Sequence, residues 1–419
     1  MIWIYQLIIQ LVAWILPVLA MFSPKLKLFV DGRKNVFQQL KTQLKSTDQI
    51  IWFHVASLGE YEQGLPVMEA LKKQLPQHKI LLTFFSPSGF EVRKNNTVAD
   101  CTLYLPLDTY FQAKKFVQLV KPEMVFFIKY EFWPNYLRQL KKRQIETFLI
   151  SGIFREKQLF FRWYAGFYRQ LLTTFNHFFV QNEKSANLLQ SLGFLNVTKS
   201  GDTRFDRVSQ ILQKQQTLDF MRLFKADQAL FVAGSTWKKD EDLLVEMINQ
   251  CTHAFKFVIA PHNIKKDDIL VLKAAIQKKT ILYSEMNSSN LADFEVLILD
   301  TIGLLTQVYR YADMVYVGGG FGQPGVHNVL EPAVFGVPII IGPNYDHFQE
   351  AILLVQSKGC QSINTPAELK QAVDALMTSP KLRQACGQLA SDFVVKHGGA
   401  TETIMNHILS KKAYQKISV

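Results

Sequence analysis

Two glutamates in the first half of the chain come directly after short apolar runs, where a parallel sheet presents side chains to a ligand. Glu60 closes Ser57-Leu58-Gly59-Glu60 after the run Ile50–Ala56. Glu131 sits in Tyr130-Glu131-Phe132-Trp133-Pro134-Asn135 after the run Met124–Lys129. A carboxylate in such a place can take a proton from an attacking hydroxyl, and burial or neighbouring aromatic rings raise its affinity for that proton. Each has a plainer reading. Ser57 and Glu60, three residues apart at a helix start, fit a capping box, and Glu131 fits a glutamate favoured by a helix dipole. The spacing leaves both pairs of readings open. Arg204, in Ser200–Arg207 (SGDTRFDR), either stabilises negative charge on a leaving group or is a solvated hinge arginine.

In the second half, Gly318 to Phe348 reads GGGFGQPGVHNVLEPAVFGVPIIIGPNYDHF. Glycines after an apolar strand (Met314–Val317) let the backbone approach a phosphate, and a following helix start would offer it amides. Glu331, three residues beyond Asn328, suits the paired hydroxyls of a ribose. Together they read as a nucleotide site, against the alternative that the glycines serve tight packing. Gly234-Ser235-Thr236, Pro261-His262 and Thr301-Ile302-Gly303-Leu304 also follow strands. Each signal is weak alone, because glycine and small residues are ordinary punctuation there. His262 by itself reads as structural, and His327, beside Asn328, is better placed. Asp240-Glu241-Asp242 reads as a solvated acidic first turn. No cluster of His, Cys or carboxylates has metal-ligand spacing, so neither a metal nor another cofactor is expected.

The elements that must position these residues follow from the pattern of runs. Ile50–Ala56, Lys79–Phe85, Met124–Lys129, Thr147–Ser151 and His177–Val180 read as strands, with helical spacing in Tyr61–Gln74 and Phe111–Val120. The pattern restarts with Leu230–Ala233, Phe255–Ala260, Val296–Leu299, Met314–Val317 and Val337–Ile341. Strands alternating with helices imply an α/β chain of parallel sheets covered on both faces. The expected layout is an N-terminal anchor over residues 1–22, a Rossmann-like domain over 23–205, a linker over 206–227 and a second Rossmann-like domain over 228–419, the two facing a cleft. Helices over Pro380–Ser410 could pack back across it. At 419 residues with 48% hydrophobic content, the chain can fill two cores.

The formal net charge of +12 asks for an anionic partner. Its basic residues are spread along the chain without a nucleic-acid-binding motif, which leaves an anionic membrane surface. Met1–Phe22 carries no charged side chain, has Trp3, Tyr5 and Trp14 as candidate interfacial anchors, and lacks the basic start and cleavage site of a signal peptide. Lys25, Lys27, Arg33 and Lys34 follow, so the positive-inside rule puts the rest of the chain in the cytoplasm. Pro17, Gln6 and Gln10 leave open a helix lying in the interface. Cys101, Cys251, Cys360 and Cys386 are far apart and read as reduced thiols.

Four stretches, HVASLGE around Glu60, KYEFWPN around Glu131, SGDTRFD around Arg204 and GVHNVLEPAVFGVPIIIGP, resemble the 3-deoxy-D-manno-octulosonic acid (Kdo) transferases, membrane-associated enzymes of lipopolysaccharide assembly. The resemblance implies a GT-B fold, CMP-Kdo as donor, and the lipid A precursor as acceptor at the cytoplasmic side of the inner membrane. By motif, Glu60 matches the family's general base, with Glu131 and Arg204 at positions assigned to transition-state stabilisation. The CMP-contacting positions correspond to Pro261 and His262, to Ile302, Gly303 and Leu304, and to Asn328, Val329, Leu330 and Glu331. The family commonly has lysine at Arg204, arginine at His262 and glutamate at Leu304. The implied reaction is one inverting, metal-independent displacement in which Glu60 deprotonates the 6′ hydroxyl of the glucosamine disaccharide. Another GT-B membrane glycosyltransferase, a UDP-sugar epimerase and a non-catalytic nucleotide-sugar sensor are the competing readings.

Overall fold

The structure, a computed structural model, describes residues 2–213, 217–286 and 290–417; the rest of the expected anchor, linker and second-domain ranges lies outside the described residues. The chain forms two compact units, residues 1–207 with 398–419, and residues 208–397. In the first, strands β1 (Ile50–Val55), β2 (Lys79–Phe84), β3 (Cys101–Tyr104), β4 (Met124–Ile128), β5 (Glu146–Gly152), β6 (His177–Val180) and β7 (Val197–Lys199) form one sheet, ordered β3-β2-β1-β4-β5-β6-β7. In the second, β8 (Ala229–Thr236), β9 (Phe255–Pro261), β10 (Thr280–Leu282), β11 (Val296–Ile298), β12 (Met314–Val317), β13 (Ile339–Ile341) and β14 (Cys360–Ser362) are ordered β10-β11-β9-β8-β12-β13-β14. Neighbours pair in parallel, Ile51 against Met124 in the first sheet and Met314 against Phe231 in the second.

These orders follow from the apolar runs. Every residue of β1, β4 and β12 is buried, as expected for strands covered by helices on both faces. Trp52 fills the first core against Phe116, Phe127 and Tyr136, and its indole N–H is satisfied by Thr83 Oγ1 at 2.8 Å. In the first sheet the chain winds outward from the central pair β1 with β4; in the second the central pair is β8 with β12, and β11 inserts between β9 and β10. The crevice beyond the carboxyl ends of such a pair is where open α/β sheets bind ligands.

Two expectations about layout change. Residues 206–227 contain helical turns, Thr203–Gln213 and Asp219–Lys225, because Phe205, Val208, Met221 and Phe224 are buried. The C-terminal segment divides at Gly399, where φ is +94°. Helix Pro380–His397 belongs to the second unit, while Ala400–Ile417 joins the first through Ile404, Met405 and Ile408, which enter the core beside Ile51 and Phe53. Asp206 anchors that return by accepting from the Gly399 and Thr401 amides, both at 2.6 Å.

The N-terminal helix Ile2–Leu19 is long and apolar enough to cross a membrane, with mean hydropathy 2.0. Its polar side chains turn inward: Tyr5 donates to Asp108 at 2.7 Å and Gln6 to Asn135 at 3.1 Å. Tyr5 is thus a docking residue and not the expected interfacial anchor. Trp3, Ile4, Leu7, Ile8, Trp14 and Val18 lie on the exposed side. Arg33 is no surface cation either. It donates to the carbonyls of Phe29, Phe85 and Leu105, its guanidinium lies 3.6 Å from the Phe29 ring centre, and burial lowers its pKa to about 10.

Candidate active site

Glu60 and Glu131 follow β1 and β4, the central pair of the first sheet. Ser57 caps helix Leu58–Gln74, its Oγ accepting from the Glu60 amide at 3.4 Å. The Glu60 carboxylate reaches back to the Ala56 amide at 2.5 Å, one residue earlier than the reciprocal bond of a capping box. The capping contacts are therefore present, and they aim a carboxyl that is only 5% exposed. Burial, and then the neighbouring Glu131 charge, raise its pKa to about 7, against the Ala56 bond and the Lys129 charge, which lower it. A group that gains and loses a proton near pH 7 is suited to general base catalysis. A side chain at Gly59 would meet nothing within 4 Å, so the helix start beside Glu60 is open.

Lys129 directly follows β4 at φ +67°, a left-handed conformation that costs a non-glycine residue about 1–3 kcal/mol. Glu131, 8% exposed, accepts from Trp133 Nε1 at 2.8 Å and lies 3.5 Å from His54 Nε2. Arg204, partly exposed, is held by its neighbour: its Nε and Nη2 donate to Asp202 Oδ2 at 2.9 and 2.7 Å. Burial works against ionising Asp202, yet Arg204 holds that carboxyl below its ordinary range. Gln63, one helical turn beyond Glu60, donates to Asp202 Oδ1 at 3.1 Å, and Thr203 donates to the Gln63 carbonyl. The Arg204 loop is thereby fixed to the helix that carries Glu60.

In the second unit two groups of expected residues come together. Thr306 Oγ1 donates to Glu331 Oε2 at 2.8 Å and Asn328 Nδ2 to Oε1 at 2.9 Å. Thr306 begins just past Ile302, Gly303 and Leu304, so that loop and Asn328–Glu331 form one constellation. Val329 and Leu330 are buried beneath it, while Ile302 is 86% exposed. The second group is aromatic. Trp237 lies nearly flat on His262, ring centres 4.6 Å apart, and donates from Nε1 to His327 Nε2 at 3.0 Å. Burial, then the neighbouring His262, lower the His327 pKa to about 4, and burial lowers that of His262. Pro261 ends β9 beneath His262.

The glycine block behaves differently from its expected part as a phosphate cradle. The Gly318 amide donates to Gly234 O at 2.9 Å and the Gly319 amide to Asp240 Oδ2 at 2.8 Å. Cβ atoms on Gly318 and Gly320 would come within 2.5 Å of Ser235 O and 2.7 Å of Gly342, so backbone packing requires both. The helix that follows, Leu330–Ala333, is one turn. Asp240 and Glu241 are buried and not a solvated turn; Asp240 accepts from Tyr316 OH, the Gly319 amide and the Trp237 amide. Trp237 and Asp240 carry contacts that their places after Gly234-Ser235-Thr236 did not announce, because only the fold brings β12 alongside β8.

Two helix-covered parallel-sheet units, each with candidate site residues in loops beyond its strands, fit the GT-B class. Solved structures share the fold: UDP-GlcNAc 2-epimerase from Neisseria meningitidis bound to UDP-GlcNAc has TM-score 0.61 at 14% identity, covering 86% of this chain and 100% of its own. MurG from Acinetobacter baumannii has TM-score 0.54 at 13% identity, covering 87% and 99%. The family model for 3-deoxy-D-manno-octulosonic-acid transferase (kdotransferase) matches residues 32–207. Curated relatives of that name from Haemophilus influenzae and Chlamydophila psittaci are 27% and 26% identical, over 85% and 88% of this chain and 86% and 88% of theirs. One from Aquifex aeolicus is 28% identical over 73% of this chain and 79% of its own. Residues 32–207 thus carry the kdotransferase match, and over most of its length the chain is similar to Kdo transferases, glycosyltransferases of lipopolysaccharide biosynthesis.

Proposed function

We propose that the protein transfers Kdo from CMP-Kdo to the tetra-acylated lipid A precursor, with Glu60 as general base. The observation that carries this reading is Glu60 itself: a buried carboxyl after the central strand, held by the Ala56 amide, with a pKa of about 7 beside Glu131. Glu60 takes the proton of the 6′ hydroxyl, whose oxygen forms the bond to the anomeric carbon of Kdo. The bond to CMP breaks on the opposite face with its electron pair, inverting configuration. Arg204, oriented by Asp202, supplies fixed positive charge, and Glu131 supports the site electrostatically. In the second unit, Glu331 would accept from the ribose hydroxyls, with its oxygens oriented by Thr306 and Asn328. The Ile302–Leu304 loop and His262 would meet the remainder of the nucleotide. With two amides of the glycine block already engaged, phosphate contacts fall to other groups.

We place the enzyme on the cytoplasmic side of the inner membrane, its N-terminal helix lying in the anionic interface with the apolar side toward lipid. Inward-facing Tyr5 and Gln6 favour this over a span. The epimerase reading shares the fold but predicts a different nucleotide. Calorimetric titration should show CMP binding and no comparable uptake of UMP or UDP. Tighter uridine binding, with no Kdo transfer, would overturn the reading.

A further inference from the structure

The first unit holds a buried polar ladder that the reaction as described does not use. Trp52 Nε1 donates to Thr83 Oγ1 at 2.8 Å, and that hydroxyl donates to Phe53 O at 3.2 Å. His54 Nδ1 lies 2.9 Å from Thr83 Oγ1 and 3.1 Å from the Thr83 carbonyl. A carbonyl can only accept, and the one hydroxyl proton of Thr83 is directed at Phe53, so His54 Nδ1 must carry a proton. In the neutral ring Nε2 is then a lone pair, and it meets Trp133 Nε1–H at 3.0 Å. The same N–H is 2.8 Å from Glu131 Oε2. His54 is fully buried on a central strand, its side chain edge-on to Phe127 and Trp133. Nothing in the packing of β1 against β2 requires an imidazole there, since an apolar side chain would leave no polar atom to satisfy.

We propose that His54 and Trp133 are positioning residues, which hold the Glu131 carboxylate in place beside Glu60 through this ladder across β1 and β2. The proposal rests on Glu60 and Glu131 forming the catalytic site. The charged and titratable groups that act on Glu60 are Glu131 and Lys129, with the Ala56 and Ser57 backbone and side-chain bonds. Those near Glu131 are Glu60 after β1 and His54 on β1, with the Trp133 N–H on its own loop. Freed from Trp133, the Glu131 carboxylate is no longer fixed beside Glu60, so its repulsion on Glu60 weakens. Glu60 then ionises at lower pH.

The test is Trp133→Phe in the full-length protein, because phenylalanine keeps the ring contact with Phe85, 4.6 Å between centres, and removes the N–H. The proton on Glu60 is followed by its infrared carboxyl band across pH, assigned by loss of the band in Glu60→Gln. This readout needs no turnover. The midpoint is expected to fall by half a unit or more, together with a tenfold or larger loss of kcat and an unchanged melting temperature. His54→Asn, which keeps a donor toward Thr83 and has nothing at Nε2, should shift the midpoint the same way. An unmoved midpoint in either folded variant overturns the proposal. Failure of both variants to fold would also overturn it, in favour of a purely structural ladder. A shifted midpoint in an enzyme that never transfers Kdo would support the ladder and refute the functional reading separately.

Discussion

At the scale of single residues, the raised proton affinity that suits Glu60 to its proposed role as base also bears on stability. The Glu60 pKa in the folded protein is about 7, above the ordinary glutamate value of 4.5. The folded state therefore binds the proton more tightly than the unfolded chain, and stability falls as pH rises through that window. Glu60→Gln can still accept from the Ala56 amide but takes no proton. It should melt at or above wild type at pH 8 while turnover drops by roughly 10²–10⁴-fold; near-normal transfer would leave Glu131 as the next candidate. In Glu131→Gln the second cause of the shift is gone, so the acid limb of the kcat profile should move to lower pH. A limb that stays in place would show the two groups to be uncoupled. Glu331→Ala should weaken CMP binding by about 1–3 kcal/mol, the cost of losing a charge-assisted partner, as read by titration calorimetry. The sequence showed Glu60, Glu131 and Glu331 because each closes a motif after an apolar run. It hid Asp240 and Trp237, whose partners Tyr316, Gly319 and His327 lie far along the chain and meet them only through sheet pairing.

At the scale of elements, the N-terminal helix is tied to the candidate site. Asp108, which accepts from Tyr5, also accepts from the Asn135 and Tyr136 amides at 2.9 Å, opening helix Pro134–Lys142 directly after Trp133. Deleting Met1–Phe22 should shift the protein toward the soluble fraction and lower its melting temperature, leaving some activity on detergent-dispersed acceptor. Unchanged fractionation would show that other surfaces dominate attachment. The ten strands that the apolar runs announce are all present. The four that escaped, β3, β7, β10 and β14, are the edges of the two sheets. Each has three or four residues, paired on one side only, so no continuous buried run marks them. The start of helix Leu58–Gln74 was legible from Ser57 and Glu60, but not the shift of the carboxylate bond to Ala56, since capping spacing does not specify which amide is reached.

At the scale of the whole molecule, each unit is a parallel sheet with its candidate residues beyond the strand ends: carboxylates after β1 and β4, and the residues proposed to meet a nucleotide after β8, β9, β11 and β12. The return of helix Ala400–Ile417 to the first unit places Ile404, Met405 and Ile408 in the core beside β1, the strand that precedes Glu60, something that composition near residue 400 does not reveal. The most direct test of the account is the product itself. Purified full-length protein is incubated with CMP-Kdo and the tetra-acylated lipid A precursor in the presence of a metal chelator, and the lipid is weighed by mass spectrometry. The account predicts acceptor heavier by one or more Kdo units with wild type and unchanged acceptor with Glu60→Gln. Acceptor of unaltered mass from active-nucleotide-binding wild type would contradict it.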